Sequence, residues 1–583
     1  MDWVVDMNFG GVEIAFVYPL ENCEPGVEWL SSKWTELVTF AKKYCDSIGL
    51  TCDFTLGTLW PFGGSIVSEG DASRTFDGVS PQRLRKSWEA RDKMPGYILN
   101  HLDRKALRRY CHQMQLALKP ALEGSKSGLF CDSWEVETEG LWSEGMDDVF
   151  ENKFGYDLGP YKNRLDEYPH VRYDYRKLIS DYVLKQFYKP YNKYCNQMGG
   201  FSRVQCHGAP VDILAAYASV DVPETESILF DPPFSTFAAS AAAISGAEIV
   251  SSETFTCLYG WKPHPGPPPY LKREQIADMK LLADAMLANG TNLIVWHGMP
   301  YNPPGGSNEF YATTQVGRDS GFVDELQEFN SYLADVGECM SFGKTYTDVA
   351  VYLPLEDNWM RNRLPDNKKR PSANYHWELQ YVKFPEELRG YHPLWISAEL
   401  LKMSHYANNK LICGKAEFNS LYIDVEWLDE EALDEILRLA SCGLPVFIKR
   451  FPKNPGFRAK SQYDRKVYEL VSLDNVTDFI RSDPVVEGDN IPEFWLRVTD
   501  DDAMIFFANP KSKELRYPMK YGQSFCEETE EVMVKINLFG KKIQKVLIFL
   551  PYRSICLNLF KDAKISYTEK DFVPSIPLRE SGE

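Results

Sequence analysis

The first three hundred residues alternate short β-prone runs with helical stretches, and this alternation restricts the fold more than any other feature of the chain. Val12 to Tyr18, Thr51 to Leu56, Leu129 to Ser133, Ser202 to Gly208, Asp221 to Glu226, Ile249 to Glu253 and Asn292 to His297 read as strands. Between them, Trp34 to Ser47, Leu178 to Phe187, Phe237 to Ala243 and Ile276 to Leu287 read as helices. Strand, helix, strand, repeated in one direction, gives a parallel sheet with crossover helices. Seven strands are one short of a (β/α)8 barrel, and Asp2 to Met7 reads as the end of a helix that precedes the first of them. The expectation is therefore a TIM-type barrel with its first strand missing from the chain as given, the seven runs counting as strands two to eight.

After Asn330 the texture changes. Thr347 to Leu353, Leu421 to Asp424 and Gly443 to Lys449 are short strands with a helix at Glu430 to Ala440, which suggests a flavodoxin-like α/β domain without a glycine-rich phosphate loop. From about Ile491, alternating runs such as Phe494 to Val498, Met504 to Phe507, Val532 to Ile536 and Val546 to Leu550 suggest a C-terminal β-sandwich. The expected division is a catalytic barrel over 1–335, the flavodoxin-like domain over 336–488 and the sandwich over 489–583.

The formal charge of −19 argues against a polyanionic partner such as nucleic acid or an anionic membrane surface. No apolar run reaches the ~18 residues of a membrane span, and the start lacks the pattern of a signal peptide, so a cytoplasmic protein is expected. Thirteen cysteines without a C-x-x-C pair fit reduced thiols better than a disulfide framework or zinc ribbon. Aromatic content is high at 14%, which suits both a large core and a sugar-binding surface. The sequence says nothing of oligomeric state.

Two strand ends carry the candidate chemistry. Gly128-Leu-Phe-Cys-Asp132-Ser-Trp134-Glu135 is an apolar run stopped by acids and a tryptophan, and Ile249 to Glu253 ends on a carboxylate beside Phe255. In a barrel, strand ends meet at the carboxyl-terminal mouth. There Glu135 and Glu253 could divide glycoside hydrolysis, one protonating the leaving oxygen and the other activating water or attacking the sugar. A separation of roughly 6.5–9.5 Å would mean inversion and roughly 5–5.5 Å retention, which sequence does not decide. Elsewhere an isolated Glu is a solvated surface charge, so position alone singles these two out. Candidate sugar contacts are Trp60, Asp132, Trp134, His207, Glu224, Glu226, Trp296 and His297, because aromatic faces cover a pyranose while His and carboxylates bond its hydroxyls. The motifs of zinc peptidases, P-loop enzymes, α/β-hydrolases and dinucleotide-binding folds are absent.

Taken in order, Trp60-Pro-Phe-Gly-Gly64, Glu69-Gly-Asp-Ala-Ser73, Asp132-Ser-Trp-Glu135, Phe154-Gly-Tyr-Asp157, Gln205-Cys-His-Gly-Ala-Pro210, Asp221-Val-Pro-Glu-Thr-Glu226 and Ser252-Glu-Thr-Phe-Thr256 resemble glycoside hydrolase family 106, the α-L-rhamnosidase-like enzymes. The resemblance covers about residues 1–300 and implies inverting hydrolysis of terminal α-L-rhamnosides, with Glu135 as general acid and Glu253 as base. It also implies a calcium ion near the sugar. Two other readings remain open: a catalytically silent carbohydrate-binding barrel, and a barrel glycosidase of other specificity, such as a retaining galactosidase-like enzyme.

Overall fold

The computed structural model describes the chain except residues 17–26, 58–60, 79, 83–95, 137–138, 228–230, 261–269, 300–313, 362–378, 380–381, 459–461, 481, 517–518, 563, 568–570 and 579–583. The alternating first half forms one seven-stranded sheet in which sheet order equals chain order. Its strands are β1 (Gly11–Ile14), β2 (Thr51–Thr55), β3 (Gly128–Cys131), β4 (Phe201–Gln205), β5 (Val222–Glu226), β6 (Ser251–Thr254) and β7 (Leu293–Trp296). All neighbouring pairs run parallel, as crossover helices require. The helices begin where the sequence supplies a cap: Ser31 accepts from Trp34 N at 3.2 Å, and Asp103 from Lys105 N at 2.8 Å.

The edge strands β1 and β7 do not pair with each other among the described residues. Side chains close that seam instead. The Trp296 ring lies 6.1 Å from Phe9 and 4.5 Å from Phe255, and it stacks on Phe322 at 5.7 Å. Its Nε1 donates to Asn330 Oδ1 at 3.0 Å, and Asn330 Nδ2 donates to the Met7 carbonyl at 2.8 Å. One amide thus ties both edges together.

Inside the sheet the filling is polar where most parallel barrels stack branched apolar residues. Arg203 on β4 meets Glu13 on β1, lies 3.1 Å from Asp53 on β2 and 2.9 Å from Glu224 on β5, and covers the Phe130 ring at 4.6 Å. Gly128 is required beside it: its N donates to Asp53 Oδ1 at 2.6 Å, and an added Cβ would stand 2.6 Å from Oδ2.

A second parallel sheet comprises β8 (Val349–Tyr352), β9 (Leu394–Ile396), β10 (Ser420–Ile423), β11 (Val446–Ile448) and β12 (Val476–Thr477). The spatial order is β9-β8-β10-β11-β12, the second-first-third-fourth-fifth arrangement of flavodoxin-like folds. Its switch point, between β8 and β10, faces the barrel helix Pro169–Tyr182. Arg176 of that helix donates to the Trp359 carbonyl at 2.6 Å, while Tyr173 and Lys177 reach Asp429 at 2.6 and 2.7 Å. Two antiparallel sheets follow, built around Phe494–Val498, Asp502–Phe507 and Ile555–Phe560 and around the hairpin Glu530–Leu538/Lys541–Phe549. Lys344–Thr345 joins the first of these and Val486–Glu487 the second.

At the switch point Glu356 is buried and accepts from Tyr352 Oη at 2.6 Å. Burial pushes its carboxyl up to about 8, far above the unfolded value near ~4.3. A raised folded value means that its stability contribution is complete below pH ~4 and is lost as pH rises towards 8. Glu356→Gln should therefore flatten the fall of stability between pH 5.5 and 7.5 by about 1.4 kcal/mol per pH unit. Urea midpoints at the two pH values measure it, and parallel slopes for the two proteins would contradict it.

Candidate active site

The carboxyl ends of β3 to β7 converge on one mouth. β3 delivers Asp132 one residue past its end, and the following turn carries Trp134 and Glu135. That turn is anchored across the mouth, because Trp134 N donates to the His207 carbonyl, just past β4, at 3.1 Å. The Trp134 ring is buried, 4.4 Å from His101 and 6.4 Å from Phe187. Phe187 belongs to a π-helical turn, Val183–Tyr188, placed where Pro190 leaves the next helix one backbone donor short. Tyr191 then donates to the Leu129 carbonyl at 3.0 Å, which fixes the helix against β3.

Glu253 on β6 receives one donor on each oxygen: Gln205 Nε2 at 2.8 Å on Oε2, and Thr256 Oγ1 at 2.9 Å on Oε1. His297, past β7, stands with Nε2 3.9 Å from Oε1. The turn after Glu253 is strained, since Phe255 and Cys257 adopt φ of 72° and 50°, in the left-handed region that side chains avoid. Such strain persists where surroundings enforce it, and it gathers at functional sites.

Asp132 is in electrostatic reach of both candidate acids. Burial, the Glu253 charge and then the Glu135 and Glu224 charges push its carboxyl well above the ordinary range. The half-buried Glu135 therefore shares an electrostatic neighbour with Glu253. On β5, Glu224 is wholly buried and accepts from Ser251 Oγ at 2.7 Å and Gln205 Nε2 at 3.2 Å. Glu226 pairs with His207 Nε2 at 3.0 Å. Burial lowers His207 to about 3, so the ring is neutral and its hydrogen sits on Nε2, facing the carboxylate.

Of the residues expected from sequence, Asp132, Glu135, His207, Glu224, Glu226, Glu253 and His297 thus come together around one mouth. Trp134 packs beneath it, Trp296 lies in the seam, and Trp60 falls outside the described residues. Sequence reasoning passed over Arg203 and gave Gln205 and Thr256, though both stand in the quoted motifs, no part in the site. The signal for Arg203 and Gln205 was the alternation Arg203-Val204-Gln205, polar at every second position in a strand expected to be covered on both faces. Among the described residues no group of three His, Cys, Asp or Glu is arranged to hold a metal ion. Glu224 faces Arg203 and two hydrogen-bond donors, and Glu226 faces His207.

Comparisons with known proteins agree with this architecture. A family model described as alpha-L-rhamnosidase matches residues 85–472. A relative from Formosa agariphila named as a beta-glucuronidase is 24% identical over 426 residues, which is 67% of this chain and 34% of the relative. The chain thus spans about a third of the length of that curated relative. Among solved structures, a rhamnosidase from Novosphingobium sp. PP1Y superposes with a TM-score of 0.61 at 16% identity, covering 82% of this chain and 49% of its own. The beta-galactosidase of Bacillus circulans sp. alkalophilus gives 0.57 at 9% identity, covering 96% of this chain and 95% of its own. These likenesses show the fold, a TIM-type α/β barrel followed by further sheets. With a family match across two thirds of its length and the barrel to go with it, the chain belongs to glycoside hydrolase family 106, the alpha-L-rhamnosidase family.

Proposed function

We propose that the chain is a glycosidase that removes a terminal α-L-rhamnose, or a related deoxy-sugar, with inversion. Glu135 is the general acid and Glu253 the base that takes a proton from the attacking water. The observation that carries this reading is geometric: the turn bearing Glu135 is tied through Trp134 N to the His207 carbonyl beyond β4, and Glu253 is tied to Gln205 at the end of the same strand. Glu253, with a donor on each oxygen, is held as a carboxylate should be if it is to accept a proton during the reaction. The half-buried Glu135 stands in the turn after β3, and in this reading it protonates the leaving oxygen. Family membership supports the sugar, and Asp132, His207 and His297 supply polar groups for its hydroxyls.

The test is a panel of p-nitrophenyl glycosides, with the α-L-rhamnoside beside the β-D-glucuronide and the β-D-galactoside. The rhamnoside should be turned over fastest, and proton NMR of the first-formed sugar should show the inverted anomer. Fastest release from another glycoside would change the sugar, and first appearance of the retained anomer would remove the base role of Glu253. Calorimetric binding of rhamnosides with no turnover would replace the enzyme by a silent sugar-binding barrel.

A further inference from the structure

The buried amide of Gln205 stands between two carboxylates, Glu224 Oε1 at 3.2 Å and Glu253 Oε2 at 2.8 Å. Its Nε2 carries two hydrogens, one for each. The reverse orientation would press the amide oxygen against two anions, so the chemistry fixes which way the group points. Glu224 cannot follow a moving Gln205, because Arg203 Nε lies 2.9 Å from its Oε2 and Ser251 Oγ donates to the same oxygen at 2.7 Å. The line Arg203, Glu224, Gln205, Glu253 therefore runs from the ionic floor of the barrel up to the mouth. From the other side, the strained turn at Phe255 and Cys257 brings the Thr256 hydroxyl back onto Glu253 Oε1. Phe255 N donates to Ser227 Oγ at 3.2 Å and its ring packs on Trp296, which holds that turn in place.

We propose that Gln205 and Thr256 are positioning residues that hold and aim the Glu253 carboxylate, with Gln205 itself fixed by Glu224 and Arg203. The proposal rests on the reading of Glu253 as the base. The other groups facing Glu253 are Asp132 beyond β3, Glu224 and Glu226 on β5, the Cys257 thiol in the turn and His297 beyond β7.

Gln205→Met keeps the length of the side chain and removes the donor. A hydrogen bond to a charged group corresponds to about a 10- to 100-fold fall in kcat, with KM nearly unchanged. The acidic limb of the pH–rate profile should move to higher pH by about 1–2 units while the basic limb stays. Thr256→Val should move the same limb in the same direction, and it serves as the test if Gln205→Met does not fold. A loss of equal size at every pH, or a rise in KM alone, would mark a merely structural role and overturn the proposal. Wild-type turnover in Glu253→Gln would remove the base assignment and the proposal together. Loss of turnover in Glu253→Gln with an unmoved limb in Gln205→Met would overturn the positioning alone.

Discussion

Glu253→Gln is expected to lower kcat on an aryl α-L-rhamnoside by about 10²- to 10⁴-fold, the usual contribution of general acid–base catalysis. The substitution keeps the shape of the side chain and leaves Thr256 an oxygen to donate to, but the new NH2 meets the Gln205 donor, so the thermal unfolding midpoint should fall by a few degrees while the fold is kept. What disappears is the capacity to accept a proton from water, because an amide is not a base near neutral pH. KM should change little, since removing the base acts on a step after binding. Steady-state kinetics beside a melting curve separates the two effects. Unchanged turnover would sink the assignment of Glu253, whatever the family match says.

The second large effect is on stability. Arg203→Met is expected to destabilise the protein by about 3–5 kcal/mol, the range seen when one partner of a buried ionic cluster is removed. Arg203 is the cation shared by Glu13, Asp53 and Glu224, and both Asp53 and Glu224 are already pushed up by burial. Without the guanidinium these carboxyls rise further above their unfolded values. Groups with raised folded values contribute fully below the unfolded value and lose that contribution as pH rises. The deficit of the variant should therefore be small near pH ~4 and grow towards neutrality. Chemical unfolding at pH 4.5 and 7 reads it. A deficit that is equal at both pH values would mean that Arg203 acts through packing on Phe130 instead of through charge.

The barrel and its mouth were legible because the strand signals were strong and the acids stood at strand ends. Asp132, Glu135 and Glu253 needed no more than that placement. The ionic floor was not legible, because a strand is recognised by its apolar half, and Arg203 and Gln205 are the other half of β4. Which polar residue meets which depends on the stagger between β1, β2, β4 and β5, and one sequence does not specify stagger. Thr256 was hidden for another reason. Its contact with Glu253 depends on two residues in left-handed backbone, a conformation that Phe255 and Cys257 do not favour and that no local signal announces. Trp296 shows the same limit from the other side. Its place at the end of β7 is visible in sequence, but the direction of its ring, into the seam between β1 and β7, is set by Phe9, Phe322 and Asn330 from distant segments. The flavodoxin-like order of the second sheet was within reach, since short parallel strands with a helix between them admit few arrangements.

That second sheet has a further meaning. In folds of its kind the crevice at the switch point is where a small ligand docks. Here the place is taken by Pro169–Tyr182, whose Tyr173, Arg176 and Lys177 reach the segments that follow β8 and β10 as a ligand's polar groups would. The sheet is a receptor whose guest is tethered to it by the chain itself. Its binding strength is spent on holding a barrel helix in place, and that helix continues through the π-helical turn to the ring of Trp134, directly below the acids.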